Sequence, residues 1–393
     1  MREPWLTIIG IGEDGLAGLS EASRNALAKA ETVFGGERHL RLADIDGRGE
    51  PWPVPFDAAC VLARRGRPTA VLASGDPFWH GAGGSLASQL APGEWVAHPS
   101  PSTFSLAVSR LGWPLESTIC IGLHAAPFER LVPLLSRGAR IICLVRDTKA
   151  AADLAAWLPA RGFGPSRLWT LSALGGPRER ITESKAETYA SDAGTSPLAV
   201  AIEADGAAGL ARTSGLADDL FKHDGQITKR PIRALALSAL APRPCERLWD
   251  VGAGSGSISV EWALAGGSAS AIEAREDRAK NIRANAEAFG LAHKISVIAA
   301  GAPAVLSSLE KPDAVFIGGG FDAPMFDAVW QLVAEGTRIV AHSVTLETEA
   351  LLADLQRKHG GDLMRIEISH AAPLGGFRSW EASRPIVQWS VVK

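Results

Sequence analysis

The sequence predicts an α/β protein of two domains, and three observations carry that expectation. Short runs rich in Val and Ile alternate with longer Ala-rich stretches of helical spacing. The 393 residues are long for one core and comfortable for two. Each half also carries an apolar run that ends in alternating glycines, Gly10 and Gly12 in the first and Gly252, Gly254 and Gly256 in the second. An apolar fraction of 46% with 21% charged residues is that of a folded chain.

In the first half, strands are expected over residues 5–9, 69–73, 140–145, 168–171 and 198–203. Helices are expected over 21–31, 103–111 and 150–160, with Ser20 as an N-cap and Gly162 as a stop. A polar, glycine-containing stretch from 204 to 225 interrupts the pattern. The domain boundary is placed inside it, near 208, giving domains 1–208 and 209–393. The second half restarts with strands over 247–251, 269–273, 295–298, 314–317 and 338–341. Helices fit 257–265, 275–289, 323–334 and 346–358. Two further strands, 363–369 and 386–392, close the chain with no helix between them. Five strands with these four helices and a terminal hairpin describe a doubly wound, seven-stranded sheet with an antiparallel edge.

Composition narrows the function. The formal net charge is −3 with no dense Lys/Arg stripe, which speaks against a nucleic-acid partner. Cys60, Cys120, Cys143 and Cys245 form no C-x-x-C pair and no zinc-ligand spacing, so they read as reduced thiols and no metal is expected. The N-terminus carries no signal-peptide pattern, and no apolar run approaches the ~20 residues that span a bilayer. A cytoplasmic protein without membrane partners is expected.

Asp250, Gly252, Gly254 and Gly256 follow a strand and open a helix. Glycine allows the sharp turn and the close approach of a ligand, and free amides at the helix start favour negative charge. Glu273 ends the next strand, at the spacing of an acid that binds a ribose hydroxyl pair. Alternate glycines directly after an acid, together with the terminal hairpin, resemble the class I S-adenosylmethionine methyltransferases more than the dinucleotide fingerprint. Gly318, Gly319 and Gly320 after the fourth strand replace the Pro-Pro-aromatic run of base and glutamine N-methylases, leaving an open floor for a large flat substrate.

The first half shows Gly10 and Gly12 after one strand, Gly75, Asp76 and Pro77 after another, and a Ser-rich turn at 100–103 before a helix. Together these resemble the tetrapyrrole (class III) methylases over about 200 residues, with Glu13 where many members have proline. That resemblance implies a two-lobed fold with the cofactor between the lobes. The second half is similar to the decarboxylating precorrin methyltransferases, through Gln226, Ile227, Thr228, Lys229 and Arg230, the 250–256 loop, and Val344, Thr345, Leu346 and Glu347. His342 stands where Asn is more usual.

The fusion of both halves in this order implies a bifunctional methyltransferase of cobalamin biosynthesis. Such an enzyme methylates carbons 5 and 15 of a precorrin-6 intermediate and decarboxylates the acetate side chain on carbon 12, giving precorrin-8. Carbon 5 would fall to the first domain, and carbon 15 with decarboxylation to the second. The implied cofactor is S-adenosyl-L-methionine, one site per domain. Its contacts would be Gly10, Gly12, Gly75, Asp76, Pro77, Ser102 and Thr103 in the first domain. In the second they would be Thr228, Asp250, Gly252, Gly254, Gly256, Glu273 and Gly301. A polycarboxylate substrate needs cations, and Lys229, Arg230, Arg233 and Arg378 are candidates, with His342 beside them. His80 and His124 are candidates to touch the first substrate. Related enzymes commonly assemble, so a homo-oligomer is expected. The rival readings are an RNA methyltransferase and a non-catalytic cofactor-binding regulator.

Overall fold

The computed structural model describes residues 3–45, 47–190 and 196–393; the first two residues, part of the stretch inspected for a leader, lie outside that description. The chain divides into two compact units. One is Met1–Phe128 with Leu134–Ala208, the other Glu129–Pro133 with Gly209–Lys393.

Among the described residues, the first unit contains two five-stranded sheets. One joins β1 (Leu6–Ile11), β2 (Thr32–Gly35), β3 (Gly49–Pro51), β4 (Thr69–Ser74) and β5 (Trp95–His98) in the order β3-β2-β4-β1-β5. All its pairings are parallel. Central strands β1 and β4 are almost wholly buried, as expected of a parallel sheet covered on both faces. The other joins β6 (Ile119–Gly122), β7 (Arg140–Val145), β8 (Arg167–Ser172), β9 (Arg180–Lys185) and β10 (Leu198–Glu203) in the order β6-β7-β10-β8-β9. It is parallel only between β6 and β7.

Two helices, Glu21–Lys29 and Thr103–Leu111, follow their sequence signals closely. Helix Glu21–Lys29 is capped by the Ser20 side chain, which accepts from the Ser23 amide at 3.1 Å. The third expected helix differs. It runs over Thr148–Trp157 from an Asp147 cap, then tightens into a 3-10 turn, Pro159–Arg161, that ends at Gly162 in the left-handed region (φ 81). Pro159 has no amide to continue the ladder, so the α-helix stops two residues before it.

The second unit is a seven-stranded sheet. Its strands are β11 (Arg247–Val251), β12 (Ser268–Glu273), β13 (Ile295–Ala299), β14 (Ala314–Ile317), β15 (Arg338–Ser343), β16 (Asp362–Ile366) and β19 (Ile386–Val392). The order is β13-β12-β11-β14-β15-β19-β16, parallel through β15 and antiparallel at β19 and β16. Strand order reverses between β11 and β14, where open α/β sheets hold their ligands. The expected strand over 363–369 is in fact broken. Between β16 and β19 the chain leaves the sheet as a separate hairpin, β17 (Ser369–Leu374) and β18 (Phe377–Ala382), closed at its base by the Ser383 amide donating to Ile368. No helix among the described residues is long and apolar enough to cross a membrane.

Candidate active sites in the two units

In the first unit three loops meet at the carboxyl ends of β1, β4 and β5. The Gly75 amide donates to Ile11 at 3.1 Å, the Ser100 amide to Gly75 at 3.1 Å, and the Ser100 hydroxyl to the Gly10 carbonyl at 2.8 Å. A Cβ on Gly10 would collide with the Gly75 carbonyl and lie 2.6 Å from the Ser100 nitrogen, so glycine is there for close backbone approach. Gly75 has φ +55, with Ser102 Cα 2.8 Å from where its Cβ would stand. Asp76 accepts from the Phe78 amide at 2.9 Å and shapes the turn. Ser102 is buried and caps helix Thr103–Leu111 by accepting from the Ser105 amide at 3.1 Å. Thr103 opens that helix on the wall of the cleft. A Cβ on Gly12 would stand 2.6 Å from the Asp14 side-chain oxygen.

Beside these loops lies a cleft of ≈ 430 Å³, within the range of sites for small organic ligands. Trp52, Trp79 and Phe104 give it apolar surface, and Arg38, His39, His80, His124 and Arg146 give it polar groups. Arg38 is organised from behind by Glu13, whose side chain is 3% exposed and which also accepts from Arg178 at 3.2 Å. Arg38 Nη2 donates to Ser74 Oγ at 2.7 Å and faces His39 Nε2 at 2.9 Å. A guanidinium only donates, so His39 Nε2 accepts. Burial, then the Arg38 charge, pushes the His39 imidazole down to about 4 and keeps it neutral. Burial also lowers Arg38, followed by the charges of Arg178 and Arg41. The sequence singled out neither Arg38 nor His39. Glu13, noted there only as a departure from proline, is the anion that holds two arginines.

In the second unit the three loop glycines do different jobs. A Cβ on Gly252 would stand 2.8 Å from the Gly319 carbonyl, and one on Gly256 2.7 Å from Ile282 Cγ2, so those two pack the loop against its neighbours. A Cβ on Gly254 would meet nothing nearer than the Gln226 carbonyl at 3.8 Å. That open cradle lies at the switch point, where a ligand would sit. Glu273 is buried and bidentate to backbone, accepting from the Gly254 amide at 2.9 Å and the Arg275 amide at 3.0 Å. Asp250 is buried. Its Oδ2 accepts from the Ser259 hydroxyl at 2.6 Å and amide at 3.2 Å, while Oδ1 has no partner among the described residues. Burial pushes its carboxyl up to about 6, opposed by the Ser259 bonds and assisted by the Glu273 charge. An open glycine cradle, an orphaned buried acceptor and a fixed acid fit a polar ligand such as S-adenosylmethionine.

The other candidates separate. The Gln226 contact brings the 226–230 segment to the glycine loop. Lys229 and Arg230 there are exposed, Lys229 lying 4.0 Å from Asp218. Thr228 contributes its carbonyl, which accepts from Arg233 at 2.5 Å. Arg233 itself must be corrected. It is wholly buried, donating to Glu261 at 2.6 Å, to Asp218 at 3.1 Å and to Leu216, with its guanidinium over the Phe221 ring. No fork remains for a substrate carboxylate, so it is part of the framework. His342 is likewise a framework residue: buried, bonded through Nε2 to Gln388 at 2.9 Å, edge-on to Phe316, and lowered in pKa first by burial. Gly301 caps a short helix at ordinary φ. Arg378 sits on β18, opposite Pro373 in an exposed hairpin, and the glycines before it form the hairpin turn.

Comparison with known proteins places the chain in one family. Residues 5–190 match the family model described as Tetrapyrrole (Corrin/Porphyrin) Methylases, and residues 219–393 match the Precorrin methyltransferase domain. A curated Precorrin-6Y C(5,15)-methyltransferase [decarboxylating] from Sinorhizobium sp is 46% identical over 401 residues, covering 99% of this chain and 97% of the relative. A Probable cobalt-precorrin-6B C(15)-methyltransferase (decarboxylating) from Saccharolobus solfataricus is 42% identical over 142 residues, 34% of this chain and 71% of the relative. The crystal structure of the C-terminal domain of precorrin-6Y C5,15-methyltransferase from Rhodobacter capsulatus is 53% identical, covering 47% of this chain and 100% of that one, with a TM-score of 0.46. Matched along nearly its whole length, the chain belongs to the decarboxylating precorrin-6Y C(5,15)-methyltransferases.

Proposed function

We propose that this chain is a bifunctional C-methyltransferase of cobalamin biosynthesis, methylating carbons 5 and 15 of a precorrin-6 intermediate and decarboxylating the acetate side chain on carbon 12, which a proton then converts to a methyl group. Carbon 5 is assigned to residues 1–208, and carbon 15 with decarboxylation to residues 209–393. The observation that carries the reading is the pair of glycine-floored sites, one in each unit, in a chain whose curated relative is alike from end to end. A relative named for the carbon-15 reaction alone matches about a third of the chain, which supports housing that reaction in a single domain.

S-adenosyl-L-methionine supplies a methyl group already activated on a sulfonium. The protein's work is then alignment, and orientation of this kind supplies ~7–11 kcal/mol in favourable cases. In this reading Glu273 takes a hydroxyl pair in the second unit, Gly254 leaves room for the ligand, and Asp250 ties the end of β11 to the first turn of the following helix through Ser259. Lys229 and Arg230 remain as cations for substrate carboxylates, and the glycines at 318–320 leave an open floor for a large flat substrate. In the first unit, Arg38 and Arg146 supply positive charge in an aromatic-walled cleft. Loss of carbon dioxide leaves an electron pair that a protonated ring nitrogen of the macrocycle accepts, so this reading asks no metal of the protein. A homo-oligomer is part of the same reading.

Titration of S-adenosylhomocysteine into the intact chain tests it, with two sites per chain expected. Methyl transfer to a precorrin-6 substrate, and none to RNA, completes the test. A single site, or transfer to RNA alone, sinks the bifunctional reading.

A further inference from the structure

Two histidines in the first cleft come from different loops and converge on one point. His80 lies in the loop after β4, and His124 just beyond β6. A Cβ built on Gly122 would stand 3.3 Å from His124 Cε1 and 3.4 Å from both Cε1 and Nδ1 of His80. Gly122 has an ordinary backbone there, so what its missing side chain provides is space for the two rings. His80 is held in the left-handed region, φ 59, which a non-glycine residue adopts at a cost of about 1–3 kcal/mol. Its ring lies 6.0 Å from that of Phe104, which packs on Trp79 at 4.8 Å. Both histidines line the cleft and remain exposed to solvent.

Carbon-5 methylation requires a proton acceptor. A bridge carbon of the macrocycle carries one hydrogen. When its π electrons form the new C–CH3 bond, the S–CH3 bond breaks and its pair stays on sulfur. The C–H bond must then break, returning its pair to the ring and releasing a proton. The other charged and imidazole side chains lining the cleft are poorly suited. Arg38 and Arg146 are cations, and His39 is tied through Nε2 to Arg38 and Ser74. We propose that the imidazoles of His80 and His124, gathered over Gly122, accept the proton released from the methylated bridge carbon and pass it to solvent. This rests on assigning carbon 5 to the first unit.

The test uses the full chain, S-adenosylmethionine labelled in its methyl group, and substrate with and without deuterium on carbon 5. His80→Asn keeps a residue that tolerates positive φ, His124→Gln keeps polarity, and His124→Phe keeps a ring of similar size. The variants are expected to bind S-adenosylhomocysteine at both sites and to methylate carbon 15 at the normal rate. Carbon-5 methylation should fall about 100-fold or more in the double variant, as for loss of a general base. Deuterium should slow the residual reaction, added imidazole should restore part of it, and His124→Phe should match His124→Gln. Carbon-5 turnover within about two-fold of the parent overturns the proposal. So does a loss that shows neither isotope effect nor imidazole rescue, because that is the mark of a positioning role. Failure of the underlying assignment looks different: Gly254→Val, with both histidines intact, would then lose carbon-5 methylation.

Discussion

Gly254 is the residue whose replacement speaks most directly to function. Its neighbours Gly252 and Gly256 are occupied by the protein's own packing, whereas the space at Gly254 is open. Gly254→Val adds three carbons to that space at φ +60, so it fills the cradle and strains the loop. The expected result is a folded chain that binds one equivalent of S-adenosylhomocysteine, has lost carbon-15 methylation and retains carbon 5. Loss of both methylations with far-UV circular dichroism intact would refute independent sites. Asp250 makes a separate prediction. Its native carboxyl lies near 6, against an ordinary value of about 3.9. Between those values the native state holds more protons than the unfolded chain, so this residue's contribution falls as pH rises and is fully lost above 6. The difference amounts to at most about 3 kcal/mol. Urea unfolding of Asp250→Asn against the parent should show the variant gaining relative stability from pH 4.5 to pH 7. An unchanged difference across that interval would mean that the carboxyl is not raised.

Among the elements, those with a buried periodic face or a cap were legible in the sequence, and those without one were not. Strands Arg140–Val145, Leu198–Glu203, Arg247–Val251 and Ala314–Ile317 are apolar runs between turn signals, and the structure forms them with the expected bounds. β3 is only Gly-Glu-Pro at a sheet edge, β9 reads Arg-Ile-Thr-Glu-Ser-Lys on another edge, and all six residues of β18 are exposed. None of these carries the alternation that marks a half-buried strand. The site was legible where backbone geometry demands glycine, at Gly10, Gly75, Gly252 and Gly256. It was opaque where long side chains reach across sequence, as Arg38 does to Glu13. Arg233 shows the limit best, since an arginine beside a binding motif reads the same whether it meets a substrate or a buried Glu261. Glu261 also accepts from the amides of Gly215 and Leu216, at 2.6 and 2.9 Å, so this pair pins the 215–233 segment. Arg233→Met leaves that carboxylate buried without its cation and should cost about 3–5 kcal/mol in denaturant unfolding. A variant of normal stability that lost only carbon-15 turnover would return Arg233 to the substrate site.

At the scale of the whole molecule, each unit owns its sheets, its core and its glycine loop, yet the chain does not divide at one cut. Glu129–Pro133 belongs with the second unit although it lies 75 residues before the rest of it, by the count from Leu134 to Ala208. The reason is visible at Gly290, in the left-handed region with φ +69, where an added Cβ would collide with the Glu129 carbonyl and come within 2.9 Å of the Arg130 nitrogen. Backbone meets backbone there, and only glycine permits it. A fragment of residues 209–393 keeps Asp250, Gly254 and Glu273 but lacks that strap. It should bind one equivalent of S-adenosylhomocysteine while unfolding at lower denaturant than the same unit does in the intact chain. Gly290→Ala in the intact chain imposes both a strained φ and a clash, so it should destabilise the second unit by more than about 1 kcal/mol without changing the number of binding sites. If the fragment and the Gly290→Ala chain were both as stable as the parent unit, the strap would be incidental, and the division of labour between the halves would follow the linear sequence alone.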